Sequence, residues 1–310
     1  MDPAPDTTRA ALLLTNRLVP LDAKPLTARE FWTLVGRVDP GALIPLDAVG
    51  IADHSGVDGD EAERYRGLLD ASTALSFEQE RLLDGGISLI SALDARFPGR
   101  LRERLGAACP PFLLVAGPAA ALDSPGLGIV GSRDADDDVL TVAGDAARLA
   151  VGHGWPVVSG LARGVDQIAM TSALEAGGVV SGVPAEGILR ASRSADVRRR
   201  VHGGELCIAS PYAPDAPPRA GNAIGRNKIV YALSGVTFVV AASKDSGGTW
   251  AGATEALDGR YSRVAVWAGD GAEDGNHALI ERGGVPVTDV SQRFEIDTSV
   301  EPPPLQDSLF

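Results

Sequence analysis

From residue 126 to residue 267 the chain repeats one pattern: a short apolar run, a turn rich in glycine and hydroxyl side chains, then a stretch of helical texture. The apolar runs fall at 127–130, 157–159, 179–183, 206–210, 236–242 and 264–267, and none alternates apolar with polar residues. Strands that read this way are covered on both faces. Between them, 138–153, 166–176, 195–202, 222–233 and 250–257 read as helices. Such alternation specifies an α/β fold, a Rossmann-like, mostly parallel sheet with right-handed crossovers and helices on both faces. Ligands of these sheets bind outside the carboxyl ends of the strands.

Ahead of this pattern the texture is helical. Thr27 stands as N-cap to a helix over 28–35 whose Phe31, Leu34 and Val35 share a face, and 61–71 and 76–83 repeat the texture, the second stopped by Gly85 and Gly86. Short strands are expected at 87–90 and 112–115, with turns at 96–98 and 109–111. The expected organisation is a mainly helical N-terminal domain over 1–117, the Rossmann-like domain over 118–296 and an extended tail over 297–310, with 1–11 frayed.

Acidic residues outnumber basic ones, 41 to 28, for a formal net charge of -13. A protein that coats nucleic acid through an overall positive field is thereby excluded, and any such contact must be local. No apolar run approaches the ~18 residues of a membrane span, and the acidic start lacks the positive region of a signal peptide, so a cytoplasmic protein with no membrane partner is expected. Cys109 and Cys207 stand far apart without metal-ligand spacing and read as small buried hydrophobes. His54, His153, His202 and His277 stand singly, and no catalytic residue, metal or cofactor is expected.

The strand ends carry the candidate site. After the first comes Gly131-Ser132-Arg133; it lacks the three-glycine dinucleotide fingerprint and is followed by the acidic run 134–138, which disfavours NAD and FAD. After the second comes Ser159-Gly160-Leu161-Ala162-Arg163-Gly164-Val165-Asp166, a glycine turn opening a helix, where unpaired N–H groups and the helix dipole favour an anion. Asp166 is either a helix cap or an acceptor for a ribose, a base or an Arg. Residues 189–200 form the most basic segment, although two helical turns cannot place every guanidinium on one face. Gly221 and Asn222 lead into Arg226, Asn227 and Lys228, cations expected near a helix front, against the dipole. Ser246, Gly247, Gly248 and Thr249 make a further anion cradle. Trp250 and Tyr231 are candidate stacking residues, with core packing the better reading of both.

Taken together, and in this order, these motifs resemble the DNA-processing protein A (DprA or Smf) family over about 87–267. The resemblance implies a homodimer that binds single-stranded DNA at the strand ends and hands it to a RecA-type recombinase. It places Arg133 and the 226–228 segment on phosphates, with Gly160, Arg163 and Gly164 shaping the pocket. The chain departs from the family pattern at Ala241 and Ala242, in the 246–253 loop and over 183–200. These departures suggest a divergent branch, one serving phage defence rather than transformation. The alternatives are a phosphoribohydrolase, in which Glu255 would assist departure of a base while Arg163 and Thr249 held the phosphate, and a nucleotide sensor without turnover.

Overall fold

A computed structural model describes residues 5–290; the expected tail over 297–310 lies outside them. The chain divides into two compact units. The first takes the residues up to Asp123 together with Pro184–Arg219, and the second takes Ser124–Val183 and the chain from Ala220 on.

In chain order the elements of the first unit begin with helices α1 (Pro5–Thr15), α2 (Ala28–Val35), α3 (Ala48–Ser55), α4 (Gly59–Leu69) and α5 (Ser72–Asp84). Strand β1 (Ile87–Ser91), helix α6 (Gly99–Leu105) and strand β2 (Phe112–Ala116) follow. Helix α1 corrects the expected frayed start over 5–11. Pro5 opens it, where a missing N–H costs nothing, and Ala10, Ala11, Leu12, Leu13 and Leu14 are buried, so core packing overrides an acidic and proline-rich beginning. The expected cap of α2 is present as a capping box. Thr27 Oγ1 accepts from Glu30 N at 3.3 Å, and Glu30 Oε2 accepts from Thr27 N at 2.6 Å.

Arg64 of α4 reaches the same carboxylate at 3.0 Å. Partial burial opposes ionisation of Glu30, but the donors from Arg64 and Thr27 outweigh it and hold the carboxyl at about 2 instead of 4.5. A depressed carboxyl contributes stability above its unfolded value and loses it as pH falls through its folded value. The melting-temperature gap between the wild type and Glu30→Gln is therefore expected to be full above pH 4.5 and to narrow as the pH is lowered toward about 2.

The second unit supplies β3 (Gly126–Val130), α7 (Asp137–Gly152), β4 (Val157–Ser159), α8 (Val165–Glu175) and β5 (Val180–Gly182). The chain then contributes α9 (Ile188–Ala191), α10 (Ala195–His202) and β6 (Leu206–Ser210) to the first unit. There β2 pairs antiparallel with both β1 and β6, an antiparallel edge that the apolar run 206–210 does not announce. Cys109 and Cys207 are free and buried, and burial pushes both thiols up to about 12. The basic residues of α10 are largely paired within the helix and its flank: Arg199 with Asp196, and Arg200 with Asp196 at 3.1 Å and Glu205 at 3.0 Å.

The chain returns to the second unit with α11 (Ala220–Leu233), β7 (Ser234–Val239), α12 (Gly247–Gly259), β8 (Arg263–Trp267), α13 (Asp274–Glu281) and β9 (Val285–Val287). Among the described residues its six strands are all parallel and run in the order β5-β4-β3-β7-β8-β9. Every residue of β3, β4 and β5 is buried, as cover on both faces requires. Helix α7 packs on α8, and α11 on α12. The fold is thus α/β with mostly parallel strands, as the sequence pattern specifies. Of the described elements of this unit two escaped that pattern: α13, and β9, whose three residues include an edge-tolerated proline.

Candidate functional site

The first two crossovers build the sheet outward through β4 and β5, whereas the later strands build from β3 in the opposite direction through β7. Connections leaving β3 and β7 therefore part, and their carboxyl ends, Val130 beside Val239, open a crevice. A pocket of about 430 Å³ occupies it.

One wall is the turn after β3. Gly131 has no room for a Cβ, which would lie 2.6 Å from Val165 Cγ2, and Val165 N donates to Ser132 O at 3.2 Å. Ser132 Oγ accepts from Asp134 N at 3.2 Å, and Arg133 is exposed. The floor is set by the turn after β4. Ser159 is fully buried and donates to Ile129 O at 2.6 Å, so it fastens β4 to β3. Gly164 has φ +75° and ψ -129°, and a Cβ there would lie 2.5 Å from Ser132 O, so only glycine joins these two turns.

Beneath the pocket lies an ion pair. Arg226 and Asp166 are each 4% exposed, with Arg226 Nη2 3.4 Å from Asp166 Oδ2. Gly160 makes room for it: a Cβ there would fall 1.6 Å from Arg226 Nη1. Burial pushes the Asp166 carboxyl up, against the pull of Arg226 and of the Ala162 and Gly160 N–H groups. The two charges offset each other, so among the charged residues lining the pocket Arg133 is the one left to face a ligand. Arg226 and Lys228 do not sit at a helix front as expected, because α11 begins at Ala220 and places both beyond its first turn, where the dipole is weak.

The remaining wall is the loop after β7 and the start of α12. Asp245 at φ +55° and Gly247 at φ +76° turn the chain into the helix, whose N-cap Ser246 makes no side-chain capping bond. Gly247, Gly248 and Thr249, at the positive end of a 13-residue helix, thus receive no cap from the Ser246 side chain, and all three line the pocket. Asn227 fixes this turn by donating to Gly248 O at 2.7 Å, and it packs where a Cβ on Gly252 would come within 2.9 Å. Fully buried Asn276 of α13 holds the preceding strand end. It accepts from Ala242 N at 2.8 Å and donates to Val240 O and Trp267 O, both at 2.9 Å.

Ten of the expected site residues line the pocket: Gly131, Ser132, Arg133, Asp166, Arg226, Asn227, Ser246, Gly247, Gly248 and Thr249. Ser159, Gly160 and Gly164 build its walls from behind, while Arg163, Gly221, Asn222 and Lys228 are not among its lining. Lys228 pairs with Glu255 at 3.5 Å, and Tyr261 donates to Glu255 at 3.3 Å, so the carboxylate of the phosphoribohydrolase alternative is engaged elsewhere. The lining residues that sequence reading missed include Ala162, Ser243 and an apolar strip of Ala220, Ala223 and Ile224. That strip has helical i, i+3, i+4 spacing and was legible had the helix been started at residue 220. Tyr231 also lines the pocket and is 1% exposed, which rules out base stacking on its ring from solvent. Among the described residues no group of three or more His, Cys, Asp or Glu is placed to hold a metal ion, and no helix is long and apolar enough to cross a membrane.

A six-stranded parallel sheet with a glycine-built, helix-fed crevice where its strand order reverses defines a Rossmann-like protein. The family of DNA recombination-mediator protein A matches residues 88–296, and the chain belongs to that family. It is 30% identical over 240 residues to the DNA processing protein DprA of Streptococcus pneumoniae, covering 75% of this chain and 81% of that protein. It is 31% identical over 189 residues to protein Smf of Escherichia coli, covering 60% of this chain and 50% of that protein, so the match spans only half of the E. coli relative. Among solved structures it is similar to DprA of S. pneumoniae, at TM-score 0.60 and 23% identity over 86% of this chain and 96% of that one. It is also similar to DprA of Helicobacter pylori, described for its single-stranded DNA binding mode, at TM-score 0.54 and 24% identity over 66% and 92%. These structural likenesses show the fold.

Proposed function

We propose that this protein binds the backbone of single-stranded DNA at the crevice between the β3 and β7 strand ends, with little readout of base sequence. The observation that carries this is the uncapped start of α12 facing the same pocket as the exposed guanidinium of Arg133. Backbone N–H groups and one fork-shaped cation suit a phosphate diester, and they supply local positive potential in a chain of net charge -13. Arg163, exposed on the neighbouring turn, extends the track, whereas the charge of Lys228 is engaged by Glu255. Asp166 and Arg226 act as the support of the floor.

We infer further that the protein works as a homodimer in the cytoplasm, protecting single-stranded DNA and passing it to a RecA-type recombinase during transformation, recombination or phage defence; the family's description as a DNA recombination mediator and the single-stranded DNA binding named for the H. pylori relative support the recombination part of this reading. Recombinase loading is tested by strand-exchange assays on DNA precoated with single-strand binding protein.

Fluorescence anisotropy with a labelled oligodeoxythymidylate tests the core of the proposal. The wild type is expected to bind tightly at low salt, with log K falling linearly in log salt concentration. Arg133→Ala is expected to weaken binding roughly tenfold and to reduce the salt slope by about one. Absence of binding by the wild type at low salt would sink the proposal.

A further inference from the structure

We propose that the turn joining α9 to α10 is a second contact for a nucleic-acid phosphodiester backbone, made by Arg190, Arg193 and Arg198. It belongs to the first unit, whereas the crevice belongs to the second, so the inference goes beyond the crevice reading and is tested apart from it.

Residues 189–205 carry five arginines against two carboxylates, in a chain of net charge -13. The fold sorts these arginines into two kinds. Arg199 and Arg200 share Asp196, and Arg200 also reaches Glu205, so their charges are largely offset where they stand. The other three enter no ion pair among the described residues, and two of them are held by backbone carbonyls instead. Arg190 Nε donates to Asp215 O at 2.6 Å, and Arg198 Nη1 donates to Arg193 O and, at 3.5 Å, to Ser192 O. A carbonyl fixes a guanidinium without cancelling its charge, and each fork keeps further N–H donors. Arg193 is exposed, and its backbone N donates to Arg190 O at 3.2 Å, which puts both residues on one turn.

That turn stands on a fixed base. Ile188 is fully buried, Gly187 N donates to Ala216 O and Leu189 N to Pro214 O, both at 2.9 Å, and Ser192 donates to Ile188 O at 2.6 Å. Ser194 caps α10 by accepting from Val197 N at 3.1 Å. Cations on such a base lose little freedom on binding. Three like charges on one turn repel each other in the free protein, and a row of phosphates relieves that repulsion while shedding its own counterions. A phosphodiester chain also presents two oxygens at every charge, which suits the fork of each arginine.

Wild type, Arg193→Ala with Arg198→Ala, and Arg193→Lys with Arg198→Lys are to be compared by anisotropy on a labelled single strand and on a labelled duplex over a range of salt. The alanine pair is expected to bind roughly tenfold more weakly at low salt, and its salt slope to fall by about 1.4 on a single strand or about 1.8 on a duplex, as two lost phosphate contacts require. The lysine pair should keep the slope, because both charges remain. If melting temperature shows that losing Arg198 loosens the turn, Arg193→Ala alone must still lower the slope by about half as much. A loss confined to one substrate supports the inference and names that form of nucleic acid as the ligand. Unchanged affinity and slope on both substrates overturn it, and so does a lysine pair that loses as much as the alanine pair, which is the mark of a structural role. Poly-glutamate bound by wild type but not by the alanine pair, with DNA binding unaltered, assigns the turn to an acidic protein and overturns the inference too. The crevice is judged separately by Arg133→Ala: a loss there beside an unaffected alanine pair leaves the crevice reading standing and this inference refuted.

Discussion

Replacing Arg226 by methionine is expected to lower stability by about 3–5 kcal/mol, the cost of leaving a buried partner charge uncompensated. The prediction follows from the 4% exposure of both Arg226 and Asp166 and from their 3.4 Å separation. Loss of the pair should also soften the pocket floor, so DNA binding is expected to fall with stability even though Arg226 contributes no net charge to the site. The control is Asp166→Leu with Arg226→Met. Removing both charges removes the desolvation cost along with the attraction, so the double variant should recover most of the loss in urea unfolding. A single Arg226→Met variant as stable as wild type would contradict the structure.

The second large effect is expected at two glycines. A Cβ on Gly160 would lie 1.6 Å from Arg226 Nη1, so Gly160→Ala must expel the guanidinium and break the same ion pair. Its cost should therefore approach that of losing Arg226, and in an Arg226→Ala background it should nearly vanish, because two changes that destroy one interaction are not additive. Gly164→Ala meets two penalties. The φ of +75° with ψ of -129° strains any side chain by roughly 1–3 kcal/mol, and overlap with Ser132 O at 2.5 Å adds a comparable amount. Gly221 gives the contrast. Nothing lies within 4 Å of a Cβ there, and it stands in the first turn of α11, so Gly221→Ala is expected to be neutral or to stabilise by up to ~1 kcal/mol. Thermal denaturation of the three variants side by side checks the order.

These expectations show where linear reading works in this chain. The turns after β3, β4 and β7 were legible as glycine-bearing junctions between an apolar run and a helix, because strand, turn and helix start are local properties of a dozen residues. The cap of α2 was legible for the same reason, since Thr27 and Glu30 lie three residues apart. Tyr231 was not legible as a pocket residue. It lies in an apolar stretch of α11 whose burial is local knowledge, but its place beside the pocket depends on chain more than 60 residues away, Asp166 among it.

The sequence by itself determined the parallel α/β class, the glycine turns at the strand ends and the residue types available there. Hydrophobic periodicity and backbone freedom are written residue by residue. Tertiary structure alone decided that 184–219 leaves the second unit and joins the first, that β6 pairs antiparallel with β2, and that Arg226 is buried on Asp166 across Gly160 while Arg133 is exposed. Two arginines of identical chemistry thus take opposite roles. Which of them faces a ligand depends on where a carboxylate 60 positions distant comes to rest, and distance in space is not encoded by distance along the chain.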